Sequence, residues 1–258
     1  MRILISNDDG IHAYGLDPLA EALAPLGEVW IVAPEREQST QSHALTLHKP
    51  LRVRERDARR FAVSGTPADC VYMAVLHLMP EPPGLVVSGI NRGGNLGNDV
   101  LYSGTVAAAM EACLFGLPAI AASLEVDWRV RARDHHWDTA ASIVASLARD
   151  VLAHGLPRRT LLNLNVPDVP ASQLKGIRAT RMGIRHYENE VTERLDQRGQ
   201  PYFWIGGTHV EFEAIAGTDG PAVEAGYASV TPLQADLTHP GALERLRDWE
   251  TLRGPGAP

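Results

Sequence analysis

Cysteine is nearly absent. Cys70 and Cys113 are the only two thiols, far apart and in apolar, helix-like contexts, which excludes a disulfide framework and a zinc-ribbon spacing. An excess of basic charge is missing as well: 24 Lys and Arg stand against 31 Asp and Glu, a net charge of -7. That balance argues against a nonspecific binder of nucleic acid duplexes or of anionic membrane surfaces. No apolar run reaches membrane length, and a strand pattern begins at once, without a charged leader and cleavage site. A cytoplasmic protein with two buried, reduced thiols is the expectation.

Several catalytic signatures are also lacking. Arg92 occupies the first glycine position that a G-x-G-x-x-G fingerprint would need, and no G-K-[ST] or G-x-S-x-G is present. Hydride transfer, P-loop chemistry and serine hydrolysis therefore lose ground. His135-His136 has no E-x-x-H arrangement nearby and reads as a surface pair at a helix start; His77 reads as a semi-buried histidine.

What is present is an alternation of strand and helix signals over 258 residues, long enough for one large α/β domain with an appendage. Almost wholly apolar strands are expected at Arg2 to Ser6, Glu28 to Ala33, Leu85 to Ser88, Pro118 to Ser123 and Thr160 to Val166. Helices are expected at Leu16 to Leu26, Pro67 to Met79, Thr105 to Phe115 and His136 to Ala153. Thr66-Pro67-Ala68-Asp69 supplies a capping hydroxyl, a proline at the first helical position and an acid in the first turn. Such an order implies a Rossmann-like, doubly wound, mainly parallel sheet.

Between Ala44 and Ser64 the patches Leu45-Thr46-Leu47, Leu51-Arg52-Val53 and Phe61-Ala62-Val63 read as short inserted antiparallel strands. Past Pro167 the pattern becomes β-rich, with strands expected at Gly176 to Thr180, Tyr202 to Ile205 and Tyr227 to Thr231, and a polar stretch from Asn189 to Arg198. The chain thus divides into a core (1–170), a β-rich hairpin arm (171–226) and a returning strand, final helix around Leu243, Leu246 and Trp249, and disordered tail (227–258).

The richest segment is Asn7-Asp8-Asp9-Gly10, where an apolar strand delivers adjacent carboxylates onto a strand-to-helix loop. Two ionised carboxylates about 4 Å apart repel by roughly 4 kcal/mol at an effective dielectric near 20, a cost met by protonation or by a cation. A plain Asp-Gly turn is the alternative. Ser39 follows the second strand in a polar loop at the same sheet edge. A third loop, Ser88 to Asp99, is rich in Gly and Asn and precedes Ser103-Gly104-Thr105 at a helix start. Asparagine oxygens suit a hard cation, and free N–H groups at a helix start favour an anion. Ser103 also reads as a simple N-cap.

Five blocks in this order resemble the signature of the stationary-phase survival protein SurE family of nucleoside-monophosphate phosphatases: Ile5 to Ile11, Val32-Ala33-Pro34 with Ser39, Ser64 to Val71, Val87 to Asn91, and Tyr102 to Glu111. The likeness continues through Gly217-Thr218-Asp219 and Ser229 to Leu233. Thr40-Gln41 departs from the glycine and small residue more usual there, while Ser42-His43 resumes the pattern. The resemblance implies one divalent cation per subunit, Mg, Mn or Ca, held by Asp8, Asp9, Ser39 and Asn91, with Asn95, Ser103, Gly104 and Thr105 around a phosphate. Asp8, Asp9, Asn95 and Ser103 are then the catalytic set. It further implies hydrolysis of nucleoside 5'-monophosphates, with 3'-monophosphates and short polyphosphate as further substrates. A homodimer or homotetramer built by the C-terminal arm is expected too. A phosphatase using an aspartyl-phosphate and a non-catalytic nucleotide sensor are the rival readings.

Overall fold

The computed structural model describes residues 1–187, 190–206, 210–247 and 249. The first half alternates β1 (Arg2–Ser6), α1 (Leu16–Leu23), β2 (Glu28–Pro34), β3 (Val53–Asp57), β4 (Arg60–Val63), α2 (Pro67–Met73), β5 (Leu85–Arg92), α3 (Gly104–Leu114) and β6 (Ala119–Glu125). There follow α4 (Trp137–His154), β7 (Thr160–Pro167), β8 (Ile177–Ala179), β9 (Arg185–Tyr187), β10 (Glu190–Leu195), β11 (Pro201–Gly206), β12 (Val210–Phe212), α5 (Asp219–Glu224), β13 (Ala228–Gln234) and α6 (Pro240–Leu246). Among the described residues one nine-stranded sheet runs β3-β4-β2-β1-β5-β6-β7-β13-β8. The run from β4 to β7 is parallel; β13 returns antiparallel to β7, and β3 is antiparallel on the far edge. The sheet is the expected α/β, Rossmann-like, mainly parallel one.

Both faces of the sheet are covered, which is why its strands are apolar throughout. Ile3 and Ile5 of β1 pack with Leu16, Leu19 and Leu23 of α1 and with α4. Leu4, between them, faces the other way and packs with Cys70 of α2 and Ala108 and Ala112 of α3. Cys70 and Cys113 are both buried free thiols, as expected. The expected helix start at Thr66 forms a complete capping box: the Thr66 hydroxyl accepts from Asp69 N, and the Asp69 carboxylate accepts from Thr66 N. Asp69 also accepts from Thr46 N at 2.9 Å, tying down the preceding insert.

Several expectations need correction. Leu45-Thr46-Leu47 forms no strand, because Thr46 N is spent on Asp69. Phe61-Ala62-Val63 lies in β4, which pairs antiparallel with β3 at Val53 as expected and, beyond that expectation, pairs in parallel with β2 and so joins the main sheet. Strand β5 runs on to Arg92 where a loop was expected after Ser88. Gly89 explains this: at φ +135° it packs where a Cβ would meet Ala122 O at 2.2 Å, so the glycine marks close approach inside the sheet. The helix after Pro67 turns π-helical over Ala74–Leu78, leaving His77 exposed.

The C-terminal region is more mixed than a β-rich arm. Ile177–Ala179 extends the main sheet in parallel with β13, and α5 packs on β13 and β7. What projects is the antiparallel β10–β11 hairpin above the short β9–β12 pair. Asn189, the start of the expected polar stretch, and Gly254 to Pro258, the expected disordered tail, lie outside the described residues. The final helix covers Leu243 and Leu246, with Trp249 beyond it. Among the described residues no helix is long and apolar enough to cross a membrane.

Candidate active site

The sheet order reverses direction between β1 and β5: from β1 the chain steps outward through β2 and β4 on one side and through β5, β6 and β7 on the other. Ligands of open α/β sheets bind at the carboxyl ends of the strands at this crevice. Asp8 and Asp9 follow β1, Ser39 follows β2, and Asn91 lies at the end of β5, so the topology brings the three segments to one edge.

Asn7 shapes the β1 turn. Its Nδ2 donates to Gly10 O at 3.0 Å and its Oδ1 accepts from Gly10 N at 3.1 Å, closing the loop around the two aspartates. Gly10, at φ +93°, lies against the backbone of Arg36 and Glu37, and Gln38 N donates to Asp8 O at 2.7 Å, so the second loop is docked on the first. On the other side the start of α3 presses on Asp8: a Cβ at Gly104 would lie 2.8 Å from Asp8 Cβ. Ser103 caps this helix, accepting from Val106 N at 3.0 Å. The Thr105 hydroxyl donates to Asp8 Oδ1.

Asp8 is 4% exposed, and burial pushes its carboxyl above the usual range against the pull of its hydrogen bonds with Thr105. Asp9 accepts from Arg92 N at 3.0 Å, yet burial first and the neighbouring Asp8 charge second raise it to about 7. Glu37 adds to both shifts; it had no expected role, and its position two residues before Ser39 was the available signal. Among the described residues neither aspartate has an ion-pair partner. Asp8 is buried and Asp9 half-buried, and the Arg92 charge only weakly offsets the burial and mutual repulsion that raise Asp9.

Of the expected residues, Asp8, Ser39, Asn91, Asn95 and Ser103 line one cleft of about 850 Å³, whereas Asp9, Gly104 and Thr105 do not line it. Ser39 is exposed, its hydroxyl donating to Glu37 Oε1 at 2.8 Å, and Asn91 donates its amide to Gly93 O at 2.7 Å. Asn95 is nearly buried; its Nδ2 donates to Ser123 Oγ at 2.7 Å, while its backbone is clamped by Asn163 and Asn165. Thr105 differs from expectation: fully buried, its side chain holds Asp8 and does not reach the cleft wall. Gly104 likewise serves close approach to Asp8.

The donor chemistry fits a hard divalent cation. Carboxylates, a hydroxyl and an amide oxygen are all oxygen donors, and a cation beside the two carboxyls would offset the burial and repulsion that raise them. Among the described residues no group of three or more His, Cys, Asp or Glu converges, so such an ion would rest on two carboxylates plus neutral oxygens.

The far side of the cleft was not legible in advance. Arg185 bonds Asp99 at 2.6 Å, and the Tyr187 hydroxyl donates to the same carboxylate oxygen at 2.6 Å, anchoring the base of the hairpin to the 3-10 turn over Gly97–Leu101. Asp219 accepts from Gly97 N and Gly183 N, stitching the same two segments. His135, expected on the surface, is buried and bonded to Asp168, while His136 beside it is partly exposed.

Residues 3–189 match the family described as Survival protein SurE. The chain is 52% identical over 250 residues to a Geobacter sulfurreducens protein named 5'-nucleotidase SurE, covering 97% of this chain and 94% of that one. A Legionella pneumophila protein of the same name is 49% identical over 239 residues, 93% of each chain. The crystal structure of the SurE protein from Aquifex aeolicus is similar at a TM-score of 0.83 and 39% identity, covering 96% of this chain and 98% of the other.

Proposed function

The chain belongs to the SurE family, and we propose that it is a metal-dependent phosphomonoesterase that hydrolyses nucleoside 5'-monophosphates to nucleoside and phosphate. The observation that carries the metal part is the adjacent Asp8–Asp9 pair at the switch point of the sheet, with no ion-pair partner among the described residues. Asp8, Asp9, Ser39 and Asn91 would hold one divalent ion, Mg, Mn or Ca. Such an ion supplies Lewis-acid polarisation of a phosphoryl oxygen and raises the acidity of water.

The chain's own groups do the positioning. Thr105 and the α3 start fix Asp8, and Arg92 N fixes Asp9, so both carboxylates are set before a ligand arrives. Ser103 and Asn95 face the cleft, where a hydroxyl and an amide serve the equatorial phosphoryl oxygens. We extend the substrates to 3'-monophosphates and short polyphosphate, and assign the protein to the cytoplasm, where Cys70 and Cys113 stay reduced. A phosphate-release screen of nucleotides against Mg, Mn and Ca tests the reading; nucleotide binding without phosphate release in every metal would leave a sensor.

The same reading makes the protein a homodimer or homotetramer, built through its C-terminal arm. On the hairpin Phe203, Trp204 and Ile205 are 57%, 66% and 91% exposed, more apolar surface than a two-stranded projection keeps in water. Deletion of residues 187–203 is expected to lower the mass found by light scattering. A monomeric full-length protein, or an unchanged mass after deletion, would contradict this assignment.

A further inference from the structure

Arg92 ends β5 immediately after Asn91 and is fixed at both ends. Its backbone N–H holds Asp9. Its side chain donates from Nε to His135 Nε2 at 3.3 Å and from Nη2 to Val130 O at 3.0 Å, and its guanidinium carbon lies 4.6 Å from the centroid of the Trp128 ring. The Arg Nε–H is a donor, so His135 Nε2 accepts and the ring proton sits on Nδ1, which donates to Asp168 Oδ2 at 2.6 Å. The other Asp168 oxygen accepts from His136 N at 2.7 Å. The His135 side chain has no solvent exposure, and this buried pair has no part in the phosphate chemistry described above.

Trp128, in contrast, is 65% exposed and lines the same cleft as Asn91 and Asp8. It is also seated: a Cβ on Gly93 would come within 2.9 Å of Trp128 Cζ2, so the glycine makes room for the indole. A large aromatic surface is thus kept open to the cleft and pinned by a cation, a glycine and, behind them, a buried His–Asp pair.

We propose that Trp128 and Arg92 form the wall on which the nucleobase of the substrate stacks, and that His135 and Asp168 are positioning residues for that wall. The proposal rests on the nucleotidase reading and adds where the base is recognised. Indole and guanidinium planes both stack on bases, and stacking tolerates any base because every base has a π-face. The wall therefore favours nucleotides over base-free sugar phosphates while discriminating weakly among bases.

The test compares adenosine 5'-monophosphate with ribose 5-phosphate, which keeps the sugar and phosphate and lacks the base. Wild-type protein is expected to favour the nucleotide in kcat/KM by about tenfold or more, the order that base stacking supplies. Trp128→Ala is expected to bring this ratio close to one, chiefly through a higher KM for the nucleotide, and Trp128→Phe to retain most of it. His135→Ala is expected to raise the nucleotide KM more than the ribose 5-phosphate KM. Competitive inhibition of the wild type by adenosine but not by ribose gives the same answer without a variant. An unchanged ratio in Trp128→Ala, an equal loss on both substrates, or no inhibition by adenosine overturns the wall and leaves the phosphatase standing. Release of phosphate from neither substrate by wild-type protein overturns the nucleotidase reading, and the wall with it.

Discussion

Asp8 and Asp9, after β1, and Asp99 and Asp168, on other loops, meet their negative charge in different ways. Asp99 is matched by the Arg185 guanidinium and the Tyr187 hydroxyl. Asp168 accepts from His136 N and from both imidazoles; burial pushes its carboxyl up, but these bonds win and hold it below the usual range. Asp8 and Asp9 are hydrogen-bonded by the Thr105 hydroxyl and backbone N–H groups alone, and the Arg92 charge lowers Asp9 only weakly, so burial first and the Asp8 charge second leave Asp9 at about 7. Folding alone would favour a cation beside every buried carboxylate. At Asp8 and Asp9 that compensation falls short, and the proposed cation is what would make it good.

The largest effect expected from breaking this contrast is on turnover. Asp9→Asn should lower nucleotide hydrolysis by roughly 10³-fold, the order lost when one electrostatic partner leaves a catalytic site. The same variant should stabilise metal-free protein at pH 8, on the order of 1–3 kcal/mol after discounting for partial exposure, measured by urea unfolding. An active variant, or one less stable without metal, would place Asp9 with the structural acids.

The pH dependence sharpens the contrast. Asp9 is raised in the folded state, so the folded protein binds the extra proton between the ordinary value of 3.8 and about 7. Stability of metal-free protein through this group therefore falls as pH rises across that window and then levels. Cation binding must displace the proton, so affinity should rise about tenfold per pH unit below 7 and flatten above it. Calorimetric titration with Mn at several pH values checks this.

Asp168 should behave in the reverse sense. Its carboxyl is depressed, so its contribution is present above 3.8 and lost as pH falls through its lower folded value. Asp168→Ala should cost about 1–3 kcal/mol by leaving buried donors unpaired, with a smaller loss in hydrolysis of ribose 5-phosphate than Asp9→Asn gives. Ser103→Ala is the smallest change: about 1 kcal/mol from the lost cap, with a further fall in turnover if the hydroxyl also serves the phosphoryl group. Unchanged kinetics would make Ser103 a cap only.

How legible these regions were in the sequence follows from how local their causes are. The Asp8–Asp9 turn, the Thr66 capping box and the Ser103 cap lie within a few residues of one strand or helix boundary, and each formed as expected. The extension of β5 was hidden because Gly89 reads as a chain breaker until the neighbouring strand is seen against it. Thr105 was read as a phosphate ligand because sequence shows a helix start and not which group lies over it; Asp8, 97 positions away, does. His135–Asp168, Arg185–Asp99 and Arg92–Trp128 join residues 33, 86 and 36 positions apart, with no periodicity linking them. Only the tertiary fold reveals such pairs.

Whether Asp8 and Asp9 hold the ion on which hydrolysis depends is decided by phosphate release from a nucleoside 5'-monophosphate. Wild-type and Asp9→Asn protein would be stripped of metal, held in chelator, and then given Mg, Mn or Ca. Negligible release in chelator, recovery of the wild type with at least one of these ions, and no comparable recovery of Asp9→Asn are expected. Full wild-type release in chelator, or equal recovery of the variant, would contradict that role.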